Sequence, residues 1–136
     1  MQKSESLGIC FYNEEHQESF FELLNRMKKN RNDSYHLSAA YLMSLDRVCR
    51  QHVDDIFDFK EDLIKPEGLY KAWQTGTSRR TTRLMYNLWN DYCYDGEIPK
   101  EDSKPSIYCI PGHIFACSYA FYYFEAIKLR FPDYCG

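Results

Sequence analysis

The feature that most constrains the fold is a run of apolar residues at helical spacing in the second quarter of the chain. These residues recur at intervals of three and four over positions 39–52, so one helix can carry them on a single face. They are Ala39, Tyr41, Leu42, Leu45, Val48, Cys49 and His52. Asp33 or Ser34 can cap its start, because a short polar side chain accepts a hydrogen bond from the first turn. The pattern predicts a long amphipathic helix.

Similar patterns predict three further main helices. The first begins after Asn13, which can cap it. Its expected buried residues are Phe20, Phe21, Leu24 and Met27. Another helix covers about residues 78–90, and the last covers about residues 112–130, where Pro132 ends it. Apolar side chains cover nearly the whole circumference of this last helix, which is typical of a central helix or of one shared with a partner subunit.

The predicted fold class is all-α, a single-domain bundle of about four main helices over residues 1–136. A long irregular loop is expected before the last helix, over about residues 93–111, because glycine, prolines and charges interrupt the pattern there. Residues 56–59 suit either a helix end or a short extended piece, and Pro66 suits the start of a short helix. A chain of 136 residues can bury a core without disulfides or metals.

Composition excludes several classes of partner. The formal net charge is −3, so general binding to nucleic acids, which attract basic surfaces, is not expected. The N-terminus leads into no long apolar segment, and no apolar run reaches the length of a membrane span. The six cysteines form no CxxC pair, so they are expected to be reduced thiols. The cytoplasm is therefore the expected compartment.

The segment 74–83 contains the main indication of a binding site. Thr77 or Ser78 can cap the helix that follows, and three arginines then fall within its first two turns. They are Arg79, Arg80 and Arg83. A helix N-terminus carries partial positive charge and normally prefers acidic residues, so this cluster of cations is unusual. N–H groups, hydroxyls and guanidiniums together suit a bound anion such as phosphate or carboxylate.

Polar and aromatic side chains extend this predicted site. On an ideal helix two of the arginines share a face with Asn87 and Asn90, and the rings of Trp73 and Tyr86 can stack on a planar base. The predicted ligand-binding residues are Trp73, Thr75, Thr77, Ser78, Arg79, Arg80, Arg83, Tyr86, Asn87 and Asn90. The competing interpretation is a solvated helix face whose arginines pair with the acidic stretch over residues 54–62. The spacing matches neither a P-loop nor a dinucleotide fingerprint.

Metal binding and catalysis have weaker support. A Cys₂His₂ zinc site would need four residues whose spacing is not that of a known zinc motif, so buried thiols and hydrogen-bonded histidines are the favoured interpretation. The four are Cys49, His52, His113 and Cys117. Glu125 lies within the apolar last helix and is expected to pair with a cation, for example an arginine of the basic segment. No catalytic signature is present. A non-enzymatic protein with no metal and no cofactor is therefore favoured.

Five segments spread over most of the chain carry a family resemblance. They are YLMSLD (41–46), HVDDIFDF (52–59), WQTGTS (73–78), NLWN (87–90) and AIKLRFP (126–132). Together they resemble a small family of uncharacterised proteins from Gram-positive bacteria and their phages and prophages. The resemblance implies no activity and no site residue. It implies a context, because small phage proteins of this kind often interfere with host defence.

The leading hypothesis is a non-enzymatic protein that binds a phosphorylated or nucleotide-like small molecule near residues 77–83. In one version it is a phage protein that sequesters a nucleotide signal of bacterial immunity. The alternative is an inhibitor or adaptor that acts through a protein–protein interface, for example on a host defence protein. The apolar last helix and the acidic stretch would then form the contact surface, and a homodimer is one expected arrangement.

Overall fold

The framework of the fold is helical. A computed structural model of the protein describes residues 2–4, 8–27, 33–95 and 102–135. The helices in these ranges are α1 (Glu14–Met27), α2 (Ser34–Leu45), α3 (Arg47–Arg50), α4 (Val53–Ile56), α5 (Gly76–Asn90), α6 (Pro111–Ile114), α7 (Ala120–Arg130) and α8 (Pro132–Cys135). Four of them, α1, α2, α5 and α7, have eleven or more residues. The prediction of a mainly helical fold with four main helices is therefore confirmed.

Short strands correct the prediction of a purely α protein. β1 (Gln2–Ser4) pairs antiparallel with β2 (Ile9–Phe11), and β3 (Phe57–Asp58) pairs antiparallel with β4 (Leu63–Ile64). The ambiguous residues 56–59 thus lie at a helix end and in a strand. A tight turn follows, because the carboxylate of Asp58 accepts hydrogen bonds from the backbone N–H groups of Lys60 and Glu61.

The connections between the long helices also contain short helical turns. A 3₁₀ helix spans Pro66–Tyr70 and begins with its proline, as predicted for Pro66. A second spans Ile107–Cys109 and lies inside the segment predicted to be an irregular loop. Part of that predicted loop, residues 96–101, lies outside the described residues. None of the described helices is both long enough and apolar enough to cross a membrane.

The helix α2 ends earlier than predicted and is buried on all sides after its first turn. Asp33 caps it, because its carboxylate accepts the N–H of His36 at 2.9 Å. The helix ends at Leu45, where Asp46 turns extended and accepts the N–H of Cys49 at 3.0 Å, so a new helix, α3, begins. Every residue from 38 to 46 is buried. The predicted amphipathic helix over residues 39–52 is therefore the greater part of a central helix followed by one short helix.

The helix α7 is correspondingly less central than predicted. The expected helix over residues 112–130 is interrupted, because turns over residues 115–119 separate α6 from α7. In these turns the thiol of Cys117 lies 3.9 Å from the carbonyl of Ile114 and 3.6 Å from the hydroxyl of Tyr123. α7 exposes Phe121 and Phe124, so the interpretation as a central helix is wrong, whereas a helix shared with a partner subunit stays a prediction.

The first helix starts as predicted and buries three of its four predicted residues, Phe20, Leu24 and Met27. Asn13 caps α1 by accepting the N–H of His16 at 2.8 Å. Phe21 is exposed, whereas His16 and Leu23 are buried along with Phe20. The sequence pattern favoured apolar Phe21, but the structure buries a histidine because both of its ring nitrogens find backbone partners.

These two hydrogen bonds fix the protonation of His16. Its Nε2 donates to the carbonyl of Tyr41 at 2.9 Å, and its Nδ1 accepts the N–H of Tyr12 at 3.0 Å. The pKa of His16 is lowered to about 4, because burial and, to a smaller extent, the charge of Arg50 outweigh the hydrogen bond to Tyr41, which raises it. His16 is therefore neutral at pH 7 and holds β2, α1 and α2 together.

Gly68 provides a first test of this packing. A Cβ atom at this position would lie 2.6 Å from the carbonyl oxygen of Asp55 and 2.8 Å from the hydroxyl of Tyr86. We expect Gly68→Ala to lower the free energy of unfolding by about 1–3 kcal/mol, the usual cost of overpacking. Urea unfolding measures this change. The matched control is Gly112→Ala, because a Cβ at Gly112 meets nothing within 4 Å; equal losses in both variants would contradict the packing.

A second test is the pH dependence of stability. The folded pKa of His16 is about 4 and its ordinary value is 6.5. The stability that neutral His16 contributes is therefore complete above pH 6.5 and is lost as the pH falls towards 4, about 3 kcal/mol in total. In urea unfolding between pH 7 and 4.5, His16→Gln should lose less stability than the wild type. An unchanged slope in His16→Gln would refute the assignment.

Candidate functional site

A cavity of about 420 Å³ lies beside the first two turns of α5. Its walls come from α5, from α6, from both 3₁₀ helices and from the segment that follows α5. The lining residues are Tyr70, Gly76, Arg79, Arg80, Arg83, Asp95, Tyr108 and His113. The volume falls within the usual range for small-molecule sites, about 300–1,000 Å³. All three arginines of the predicted site therefore meet in one cavity.

The start of α5 differs from the prediction. Thr75 is the N-cap, rather than Thr77 or Ser78, because a reciprocal pair of hydrogen bonds forms there. The hydroxyl of Thr75 accepts the N–H of Ser78 at 3.0 Å, and the hydroxyl of Ser78 accepts the N–H of Thr75 at 2.7 Å. Ser78 is fully buried. These two predicted site hydroxyls thus serve the helix start, and the arginines begin in the second turn.

Arg79 and Arg80 are oriented by backbone carbonyls. The Nε of Arg79 donates to the carbonyl of Leu69 at 3.0 Å, and the Nε of Arg80 donates to the carbonyl of His113 at 2.8 Å. Within the described ranges, neither arginine forms an ion pair, and their terminal nitrogens make no hydrogen bond. A carbonyl acceptor fixes the direction of a guanidinium without neutralising its charge. Both side chains are therefore positioned and remain cationic.

Arg83 differs because it has an internal carboxylate. It is 5% exposed, and its Nη1 lies 2.9 Å from Oδ1 of Asp95. Its guanidinium also lies 5.4 Å from the centre of the Tyr108 ring, within the range of a cation–π contact. The carboxylate that pairs with an arginine of the cluster, Asp95, thus comes from the segment after α5.

The competing interpretation placed that carboxylate in the acidic stretch over residues 54–62, and this pairing is wrong. Asp54 pairs instead with Arg26 of α1 at 2.6 Å. Asp62 contacts Nε2 of His36, whose Nδ1 contacts Asp33, each at 2.9 Å. Burial alone would lower the pKa of His36, but these two carboxylates raise it above its ordinary value. The acidic stretch therefore stabilises other parts of the fold.

The predicted aromatic residues lie outside the cavity wall. The indole of Trp73 stacks on His52 at 4.5 Å and donates to the carboxylate of Asp55 at 2.8 Å. Tyr86 is fully buried, and its hydroxyl donates to the carbonyl of Lys65. Burial raises the pKa of Tyr86. The rings that line the cavity are instead those of Tyr70 and Tyr108.

The remaining predicted residues form hydrogen bonds within α5 or at its C-terminal end. The side-chain amide of Asn87 donates to the carbonyl of Tyr92, and the side-chain oxygen of Asn90 accepts the N–H of Tyr92. Both asparagines therefore hold the turn that ends the helix, far from its first two turns. The carbonyl of Thr77 accepts the hydroxyl of Thr81 at 3.1 Å. Of the predicted set, the arginines are the members that line the cavity.

The other lining residues come from distant parts of the sequence. Tyr70 precedes the arginines, whereas Asp95, Tyr108 and His113 follow them by twelve residues or more. The sequence pattern contained no local signal for Asp95 or for the tyrosines, because no periodicity connects separate elements. His113 drew attention only as a candidate zinc ligand. Its backbone carbonyl, which holds Arg80, is a contact that no sequence motif encodes.

The residues of the alternative zinc site serve separate purposes. Cys49 is fully buried, its thiol lies 3.5 Å from the carbonyl of Ser78, and burial raises the pKa of that thiol. His52 stacks on Trp73. No group of three or more His, Cys, Asp or Glu residues in the described part of the chain is arranged to hold a metal ion.

Glu125 is paired, as expected, although not with the basic segment. Its carboxylate lies 3.1 Å from Nζ of Lys128, one turn further along α7. It also accepts the backbone N–H of Cys10 at 3.2 Å. Because Glu125 is 6% exposed, these partners offset the cost of burying its charge. The residue therefore connects α7 to β2.

Comparison with known proteins assigns the chain to a family. No curated protein and no solved structure matches it. A family model does match, and it covers residues 6–136, which is nearly the whole sequence. The resemblance to an uncharacterised family is thus confirmed, and the bacterial or phage origin stays a prediction. The chain belongs to DUF6075, a family of unknown function.

Proposed function

We propose that this protein is a non-enzymatic binding protein for a phosphorylated, nucleotide-like small molecule, held in the cavity beside α5. One observation carries the proposal. Arg79 and Arg80 enter the same cavity, each oriented by a backbone carbonyl, and no carboxylate among the described residues pairs with either. Two positioned cations in a concave site favour an anionic ligand.

The chemistry of the guanidinium group supports phosphate in particular. Its planar fork of N–H donors matches two oxygens of a phosphate in a bidentate arrangement. Bonds to the carbonyls of Leu69 and His113 hold the two side chains before the ligand arrives, which reduces the entropy lost on binding. The partial positive charge at the N-terminus of α5 adds to this attraction.

The aromatic wall supports a ligand with a planar group. Tyr70 and Tyr108 line the cavity and are 60% and 50% exposed. An exposed ring can stack on a nucleobase, which contributes affinity without reading the base sequence. Phosphate groups at the arginines and a base at the tyrosines would use both halves of the site.

In its most concrete form, the proposal is that a phage protein sequesters a nucleotide signal of bacterial immunity. Sequestration requires tight binding and no turnover, which suits a cavity built from arginines and tyrosines. The context comes from the resemblance of segments such as residues 73–78 to proteins of phages and prophages. Calorimetry with cyclic mononucleotides and cyclic dinucleotides, beside AMP and ATP, tests this form directly.

The arginines provide the third prediction. Arg79→Ala and Arg80→Ala should each weaken binding of the tightest nucleotide of that panel by about tenfold to a hundredfold, because each removes a charge-assisted hydrogen-bonding group. Isothermal titration calorimetry measures the change. Unfolding temperatures should stay near the wild-type value, because each side chain makes a single hydrogen bond to a described residue.

The matched control is Arg47→Ala, at an exposed arginine of α3 outside the cavity. It removes the same charge, so it reports any general effect of net charge on anion binding. Binding should be unchanged in this variant. Absence of heat with every nucleotide of the panel for the wild type would refute the proposed function. Equal losses in all three variants would refute the specific role of the cavity.

A second candidate function is that of an inhibitor or adaptor with a protein partner, for example a bacterial defence protein. The observation that favours it is the exposed aromatic face of α7. Phe121 and Phe124 are 47% and 56% exposed, and Phe124 stacks on Phe115 at 4.9 Å. Exposed aromatic rings on a rigid helix are common anchors of protein interfaces, including those of homodimers.

The fourth prediction separates this candidate from the first. If α7 binds a protein, the double variant Phe121→Glu, Phe124→Glu should lose a stoichiometric partner captured from bacterial lysate, or should change from dimer to monomer in light scattering. Leu63→Glu is the control, because Leu63 is an exposed apolar residue of β4. A wild-type protein that is monomeric and captures no partner would contradict the second function.

A further inference from the structure

The ion pair between Arg83 and Asp95 sits inside the proposed binding site. Arg83 is nearly fully buried, so its charge needs an anion close by. Asp95 supplies one, with its Oδ1 2.9 Å from Nη1 of Arg83. Both residues line the cavity. No other carboxylate of the described residues lines it, so Asp95 is the internal anion nearest to where a ligand phosphate would lie.

The geometry of this pair is poor despite the short distance. Oδ1 of Asp95 is buried, yet it accepts no hydrogen bond from a described residue, because the N–H groups of Arg83 are not directed at it. The attraction is therefore mainly Coulombic and lacks the aligned, bidentate contacts of a strong arginine–carboxylate pair. The Asp95 side chain is also 40% exposed, so its carboxylate can move towards solvent when another anion takes its place beside buried Arg83.

A ligand phosphate can satisfy Arg83 better than Asp95 does. Phosphate presents several oxygens to the fork of the guanidinium, whereas Asp95 offers one buried oxygen at an unfavourable angle. The two anions repel each other, so they cannot both lie against Arg83 at low cost. Arg79 and Arg80, without carboxylate partners in the described ranges, would hold the phosphate beside the pair.

We propose that Asp95 is an internal competitor for Arg83 that a phosphate ligand must displace. The inference rests on the proposed function and adds a regulatory residue to the same cavity. Asp95 neutralises buried Arg83 until the phosphate takes its place. It thereby lowers the affinity for anions, and weakly binding anions fail to displace it. The site thus favours ligands that engage all three arginines together.

The fifth prediction tests this competition with inorganic pyrophosphate as the probe. In isothermal titration calorimetry, Asp95→Asn should bind pyrophosphate about tenfold more tightly than the wild type, because the competing charge is gone while the side chain keeps its size. The matched control is Asp91→Asn. Asp91 is an exposed residue with a positive φ of 64° at the end of α5, a conformation that asparagine tolerates. It removes the same charge outside the cavity and should change the affinity little.

A double variant separates local competition from a general charge effect. In an Arg83→Gln background, Asp95→Asn should gain no more affinity than Asp91→Asn does, because the contested guanidinium is absent. Thermal unfolding gives an independent measure. Without pyrophosphate, Asp95→Asn should unfold at a lower temperature than the wild type, since it leaves Arg83 unpaired. Saturating pyrophosphate should raise the unfolding temperature of Asp95→Asn by more than it raises that of the wild type.

The outcomes distinguish this inference from the proposed function. If the wild type binds pyrophosphate and Asp95→Asn binds it equally or more weakly, Asp95 is no competitor, and the anion site stands without it. If Asp91→Asn gains as much as Asp95→Asn, the effect is one of net charge, and the competition is again refuted. If neither the wild type nor any variant binds pyrophosphate, both the proposed anion site and this inference are refuted.

Discussion

The burial of α2 over residues 38–45 is the constraint on which the rest of the structure depends. A helical segment with no solvated face must be enclosed, and α1, α5 and α7 pack around α2. This enclosure orients α5. Thr82 faces α3, with its hydroxyl 3.6 Å from the thiol of Cys49, and Thr81 faces α7, with a 2.7 Å hydrogen bond to Tyr123. With those two sides occupied, the three arginines project from the remaining side, where the cavity lies.

Identical side chains acquire different roles in this cavity because their partners differ. Two guanidiniums are held by carbonyls and keep their full charge, whereas Arg83 is balanced by a carboxylate. A count of arginines therefore overstates the net positive charge of the cavity, and the orientation of each group matters as much as its presence. At the start of α5, the hydroxyls of Thr75 and Ser78 accept the backbone N–H groups, so the arginines are not needed there and line the cavity instead.

Sequence reasoning reached the features that are local in the chain. The caps at Asn13 and Asp33, the four main helices and the arginine cluster all depend on residues close together in sequence. The predictions were wrong where tertiary contacts determine the structure. Helical periodicity continues across Asp46, but the side chain of Asp46 caps a new helix there. Apolar residues around a whole helix suggested that α7 was central, whereas α2 holds that place. Asp95 and the cavity tyrosines were missed because only the packing of separate elements brings them to the arginines.

Gly68 has a consequence that reaches beyond its own packing. It lies against the backbone of Asp55 and the hydroxyl of Tyr86, at distances that leave no room for a side chain. The next residue, Leu69, presents the carbonyl that orients Arg79. The direction of the Arg79 side chain therefore depends on how closely two backbone segments approach each other inside the protein. A residue without a side chain thus acts as a spacer for the cavity wall, and a larger residue at this buried position would redirect Arg79 while every residue that lines the cavity stayed the same.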